Sequence, residues 1–329
     1  MQESKEHGRR RTDVPIQIVS ESHAVPFSKG LLAQSLTATG LSPDRAYRVS
    51  QEVERLLAEQ GTLRISMDEL YPVVGRVLGE MEGDRYLKRY QKWNHPGLRE
   101  RPVIILIGGT TGVGKSTLAS QLANRLGIVR IVSTDSIRQV MRTFFSKALM
   151  PEIHYSSFDA GGAVRIPVGS SLNPHLVGFV EQVEMVTVGV SALVQRAVTE
   201  GTSVVVEGVH IVPGNFPLTG DEQAIVLPLV IGVRDAALHR SHFLVREWKT
   251  DGQRPTQRYL ANFDEIRRIQ EFILGRAAAE GTVVIDNTNI DDTVALVVDA
   301  LYEQIEAVEA TSQAGAAGRA GVDGRQAGA

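Results

Sequence analysis

Two kinds of hydrophobic spacing alternate along the second part of the chain. Short runs rich in apolar residues, at 103–107, 130–133, 203–206, 225–233 and 283–286, predict strands, the first of them buried. Between them lie longer stretches with apolar residues three and four apart, at 178–200, 235–247, 262–280 and 292–308, which predict helices. Such alternation predicts a parallel sheet flanked by helices, in which ligands bind beyond the carboxyl ends of the strands. Residues 14–95 read differently, as a compact and mostly helical unit. A strand is expected at 15–19, a turn at 25–28 and a first helix from Leu31 toward Gly40. Ser42 and Pro43 then supply an N-cap and a first position for a helix whose Ala46, Val49, Val53, Leu56 and Leu57 follow its period. A third helix behind Ser66 carries Leu70, Val73, Val74 and Val77 and is expected to end near Gly79, and a fourth starts at Asp84. Pro96, Gly97 and Pro102 mark a linker over 96–102, so the second domain spans 103–310. The patternless 1–13 and the Gly/Ala-rich 311–329 are expected to be disordered tails.

Composition narrows the classes of function. The 329 residues are enough for two domains, and their net charge of −3 offers no broad basic field. Neither nucleic acid nor an anionic membrane is therefore an expected partner; a small molecule is, and homo-oligomerisation stays open. The chain has no cysteine, which excludes disulfides, thiolate metal sites and a cysteine nucleophile. Charged first residues without an apolar segment, and apolar runs no longer than strands, point to a cytoplasmic protein.

The strongest chemical signal follows the first buried run. Gly109, Thr110, Thr111, Gly112, Val113, Gly114, Lys115 and Ser116, with Thr117 behind them, match G-x-x-x-x-G-K-[ST] between a strand and a helix, which is a P-loop. Glycines let the backbone turn its N–H groups around a polyphosphate, and the positive end of the next helix faces the same anion. Lys115 is expected to bridge the β- and γ-phosphates of ATP, and the Ser116 hydroxyl to hold Mg²⁺. A carboxylate ending an apolar strand is the Walker B arrangement, which makes Glu207 a second metal residue. Asp135 and Arg138 follow the second strand, where Asp135 either orients an acceptor hydroxyl or caps a helix, and Arg138 meets an anionic group.

Arginines after the fourth strand, Arg240, Arg246, Arg254, Arg258, Arg267 and Arg268, suit a lid or clamp over a multiply anionic substrate, about half of them touching ligand. Helical spacing puts His239, His242 and Arg246 near one face. The stretch from Leu149 to Ala160, with His154, Ser157 and Asp159, reads as a substrate-covering loop. His210 is either a packed loop histidine or a substrate ligand. Asp286-Asn287-Thr288-Asn289, closing the fifth strand, either contacts adenine or closes the site, or forms a plain polar turn.

Two resemblances sharpen these readings. Pro26-Phe27-Ser28-Lys29 before a helix, and Ala46-Tyr47 leading into the next, resemble the ATP-cone, a small nucleotide-binding regulatory module. Its basic pair is replaced by Ser20-Glu21-Ser22-His23, so a structural or degenerate module is favoured. The glycine-rich loop, residues 133–138, Ser156-Ser157-Phe158-Asp159-Ala160 and Val206-Glu207-Gly208-Val209-His210 together resemble the 2-phosphoglycerate kinase family, over about residues 14–308. The resemblance implies a P-loop NTPase α/β domain behind a small ATP-cone-like domain. It also implies ATP-dependent phosphorylation of a small phosphorylated acceptor, 2-phosphoglycerate, at its 3-hydroxyl. The competing readings are a kinase for another phosphorylated acid or polyol, and a nucleotide-dependent switch. Guanine-switch motifs are absent from their expected places, which disfavours the switch.

Overall fold

The computed structural model describes residues 16–20, 23–95, 101–164, 173–216, 223–249 and 256–326, with backbone alone at 245–249 and 312–326. The expected tail at 1–13, most of the linker at 96–102, and Arg254 lie outside the described residues, as does the side chain of Arg246. The chain divides into two units, one ending at Asn94 and the other starting at His95.

In the first unit, β1 (Gln17–Val19) pairs antiparallel with β2 (Ala24–Pro26) and parallel with β3 (Arg64–Ser66). Four helices complete the unit, two before β3 and two after it: α1 (Lys29–Thr37), α2 (Pro43–Glu59), α3 (Met67–Glu82) and α4 (Asp84–Trp93). The Ser28 hydroxyl accepts from the Leu31 N–H at the start of α1, and Ser66 with Glu69 forms a reciprocal capping box on α3. Ser42 holds the N-cap position of α2 without a side-chain cap bond. Leu36, Leu41, Val49, Val53, Leu57, Val74 and Leu78 form the core.

Three local expectations change here. The turn expected at 25–28 is in part β2, because pairing with β1 takes up its backbone groups. β3 was not expected, as a three-residue strand gives too short an alternation to register. α3 continues past Gly79, where a Cβ would stand 3.2 Å from Leu87 Cδ2. The glycine there admits α4 at close range and does not end the helix.

The second unit is a five-stranded parallel sheet in the order β5 (Arg130–Ser133), β6 (Val204–Glu207), β4 (Val103–Gly108), β7 (Ile225–Gly232), β8 (Val283–Asp286). All six residues of the central β4 are buried. Its helices are α5 (Lys115–Leu126), α6 (Thr134–Phe144), α7 (Pro174–Thr199), α8 (Ala236–Lys249), α9 (Thr256–Ala261), α10 (Phe263–Ala279) and α11 (Ile290–Gln326). Among the described residues α7 alone is long and apolar enough to span a bilayer by length and composition; here it buries Phe179, Val183, Val186 and Val190. α11 runs through most of the tail expected from residue 311, as a continuation of the helix that starts at Ile290.

The register decides where chemistry can occur. Ser133 lies beside Glu207, Glu207 beside Ile107, and Gly232 beside Asp286. The carboxyl ends of the strands therefore finish level, with the glycine-rich turn leaving the central one.

Candidate active site

A turn that binds polyphosphate has to hold its carbonyls away from the anion and its N–H groups toward it. Four consecutive carbonyls of this turn are held in that way. Lys115 Nζ donates to Thr110 O at 2.7 Å, His239 Nε2 to Thr111 O at 2.8 Å, His242 Nδ1 to Gly112 O at 2.9 Å and Asn287 Nδ2 to Val113 O at 2.7 Å. Thr110 Oγ1 reaches across to Ile266 O in α10. Asn287 is itself fixed by Thr293, whose hydroxyl donates to its Oδ1 at 2.8 Å. At Gly112, with φ of 88°, a Cβ would lie 2.5 Å from the Phe243 ring, so the turn passes between α5 and an aromatic wall on α8.

His239 packs flat on Phe243 and edge-on to Phe263. Burial pushes its imidazole down to about 4, so it stays uncharged at neutral pH and serves as a fixed N–H donor. The helical spacing that grouped His239 with His242 thus marks a brace for the loop.

The charged centre forms where the strand ends converge. Lys115 is buried; loss of water pushes its ammonium below the ordinary lysine value, against the pull of Glu207 and Asp135. Ser116 Oγ donates to Glu207 Oε1 at 2.9 Å. Among the described residues no cluster of three or more histidines, cysteines or carboxylates forms a protein-only metal cage. That fits magnesium, which keeps several waters and is bound through one or two protein oxygens plus substrate phosphates.

Asp135 stands at the start of α6, but the N-cap role belongs to Ser133, whose hydroxyl accepts from the Ser136 N–H at 3.1 Å. The Asp135 side chain is exposed and pairs with Arg138, Oδ1 to Nη2 at 3.1 Å. Desolvation pushes its carboxyl up, and Arg138, His210 and Lys115 together outweigh that to leave it below the ordinary aspartate value. Arg138 also donates through Nη1 to Ile153 O and Tyr155 O at 2.9 and 2.8 Å.

His210 belongs to a buried chain of hydrogen bonds. Gln182 donates from Nε2 to Glu152 O and Tyr155 O, so its Oε1 accepts from His210 Nε2–H at 3.0 Å, and His210 Nδ1 accepts from the Thr134 hydroxyl at 2.7 Å. The histidine is fully buried, and burial pushes it down to about 3. Of the two expectations for it, the structure supports the packed loop residue. It ties the end of β6 to the start of α6 and, through Gln182, to residues 152–155.

This burial predicts a pH dependence of stability. Below its ordinary value of 6.5 the histidine takes up a proton in the unfolded chain and not in the folded one, so stability falls as pH falls toward about 3. Between about pH 7.5 and about pH 5.5 the wild-type chain is expected to lose about 1 kcal/mol more than His210→Gln, read by urea unfolding.

The remaining expected site residues divide. His154 donates from Nε2 to Phe145 O at 2.9 Å and serves the loop's own base. The expected irregular loop contains two short turns of helix, Glu152–His154 and Ser157–Ala163, and Ser157 is buried. Asp159 pairs with Arg258 at 2.8 Å. Arg240 lies over the Phe263 ring at 4.4 Å, and Arg267 donates to the carbonyls of Val233 and Arg234. Gln182 was missed, although one signal was available: a glutamine inside the apolar run that packs α7 on the sheet.

A parallel sheet whose central strand feeds such a loop, with a buried lysine, a serine–glutamate pair and an arginine-paired aspartate at adjoining strand ends, defines a P-loop phosphotransferase. The profile of the Zeta toxin family matches residues 84–158. The 2-phosphoglycerate kinase of Methanopyrus kandleri is 37% identical, over 92% of this chain and 91% of its own. The 2-phosphoglycerate kinases of Methanococcus maripaludis and Pyrococcus horikoshii are 38% and 36% identical, over 88% and 85% of this chain. The chain belongs to the 2-phosphoglycerate kinase family, and is an ATP-dependent phosphotransferase.

Proposed function

We propose that the enzyme transfers the γ-phosphoryl group of ATP to the 3-hydroxyl of 2-phosphoglycerate, giving 2,3-bisphosphoglycerate. The observation that carries the site assignment is the convergence of Lys115, Ser116, Glu207, Asp135 and Arg138 at the level ends of β4, β5 and β6. Residues 109–117 cradle the phosphates, with the carbonyls turned out by His239, His242 and Asn287. Lys115 carries its charge to the β- and γ-phosphates in a site that water reaches poorly, where the charge is effective. Ser116 and Glu207 would hold a magnesium ion, which neutralises charge on the transferring group. Asp135 accepts the hydroxyl proton as the acceptor oxygen bonds to phosphorus, while the bond to the ADP oxygen breaks. Arg138 meets an anionic group of the acceptor.

The same reading places the protein in the cytoplasm and assigns residues 14–95 to an ATP-cone-like regulatory domain, 96–102 to a linker and 103–310 to the kinase. Incubation with Mg-ATP and either 2-phosphoglycerate, 3-phosphoglycerate or phosphorylated polyols tests the acceptor. Bisphosphoglycerate formed from 2-phosphoglycerate is the expected product, and hydrolysis of ATP indifferent to acceptor would sink the assignment. Glu207→Gln is expected to raise the magnesium concentration for half-maximal rate about tenfold, measured by titrating the metal at fixed ATP; an unchanged requirement would remove Glu207 from the metal site.

A further inference from the structure

Two guanidinium groups close on the same short segment from opposite sides. Arg138, from α6, donates to Tyr155 O at 2.8 Å, and Arg258, from α9, donates through Nη2 to Ser156 Oγ at 2.9 Å and Asp159 Oδ2 at 2.8 Å. Each is neutralised by one aspartate, Arg138 by Asp135 and Arg258 by Asp159. They differ in what else they do. Arg138 is largely buried, with Nη1 committed to two carbonyls and the edge formed by Nε and Nη2 on Asp135. The Arg258 side chain is 58% exposed, and its Nε and Nη1 bond to none of the described residues. It also lies over the Phe158 ring at 5.6 Å, which fixes the plane of the fork.

Arg258 is joined to the nucleotide loop through two aromatic rings. Its neighbour Tyr259 stacks on Phe243 with centroids 5.2 Å apart and planes 9° apart, and Phe243 is the ring that a Cβ at Gly112 would strike. Other described arginines after β7 have different employment: Arg234 beside Asp286, Arg240 on Phe263, Arg267 on the end of β7, Arg268 on Glu265. An exposed pair with a single carboxylate is weak, and a phosphate dianion that offers three oxygens to a planar fork displaces such a carboxylate.

We infer that Arg258 binds the phosphate already carried by the acceptor, exchanging Asp159 for it, and so sets the preference for a phosphorylated over an unphosphorylated glycerate. The inference rests on the acceptor proposed above. In the free enzyme Asp159 holds the guanidinium against residues 156–159. When the acceptor arrives, the pair opens and its phosphate is held beside the segment that Arg138 also grips.

Steady-state kinetics of the full chain with 2-phosphoglycerate and with glycerate test this. Arg258→Ala is expected to raise KM for 2-phosphoglycerate about tenfold or more, to reduce the preference over glycerate by a similar factor and to leave KM for ATP unchanged. Asp159→Asn, which removes the competing carboxylate, is expected to lower KM for 2-phosphoglycerate. If Arg258 merely braces the loop, both variants break the same pair and both raise KM; that result overturns the inference, as does a rise in KM for ATP. Wild-type turnover of 2-phosphoglycerate with an unmoved preference in Arg258→Ala overturns the inference alone. A wild-type enzyme inactive on 2-phosphoglycerate overturns the acceptor assignment with it.

Discussion

Lys115→Met is expected to lower kcat by about a thousandfold or more while leaving the protein folded, because its role lies in the charge that develops during transfer. The two readouts should move apart. Burial already disfavours the ammonium against the pull of Glu207 and Asp135, so the free protein holds this charge at a cost that methionine of similar length does not incur. Urea unfolding of the variant should therefore occur at an equal or higher denaturant concentration than in the wild type. Loss of activity accompanied by a large loss of stability would mean that the lysine holds the loop together through its bond to the Thr110 carbonyl, and would count against a role on the phosphates.

Asp135→Asn separates orientation from proton transfer. The amide keeps an oxygen for Arg138 but cannot take a proton, so kcat is expected to fall by about a hundredfold to ten-thousandfold with KM for ATP little changed. The pH profile supplies a second check. The charges of Arg138 and Lys115 keep the wild-type carboxyl ionised below its ordinary range, so the rate should hold across neutral pH and fall only on strong acidification. In Asp135→Asn that acidic limb should disappear from the residual rate. A variant that keeps the limb would assign the titration to another group, and one that keeps its full rate would leave Asp135 as a partner of Arg138 alone.

The parts of this site that a reader of the sequence can find are those whose logic is local. The glycine-rich loop announces itself because eight neighbouring residues carry the whole anion-binding device. Glu207 and Asp135 follow from one rule applied twice, that polar residues at the carboxyl end of a parallel strand face the ligand edge. What holds the loop is another matter. His239, His242 and Asn287 meet it across 128, 130 and 174 residues of chain, and only the sheet order brings those separations together. The helical spacing of His239 and His242 was visible, but the same spacing suits a lid that faces substrate, and the choice depends on where α8 packs. The arginines show the same limit. Composition gives a cationic region after β7, whereas the sorting of Arg240, Arg258, Arg267 and Arg268 onto a ring, an aspartate, two carbonyls and a glutamate is fixed by packing. In the first unit, β2 and β3 were lost because three residues are too few for a pattern; the Ser66 cap was found because a cap is decided within four residues, whereas Ser28 was read as part of a turn and Ser42 makes no side-chain cap bond.

The strand order also dictates a timetable for synthesis. β4 lies at the centre of its sheet, yet one neighbour, β6, emerges from the ribosome about a hundred residues later, as the bond from Val103 N to Ser203 Oγ across 100 positions records, and the other, β7, later still. Until then an all-apolar strand has no partner in the nascent chain. Contacts so distant are slow to form and leave an unpaired edge prone to aggregation. The first unit closes all its pairings within residues 16–93 and can be complete before β4 is made. Growth temperature, translation rate and chaperone supply should therefore govern the soluble yield of the kinase unit far more strongly than that of the unit made before it.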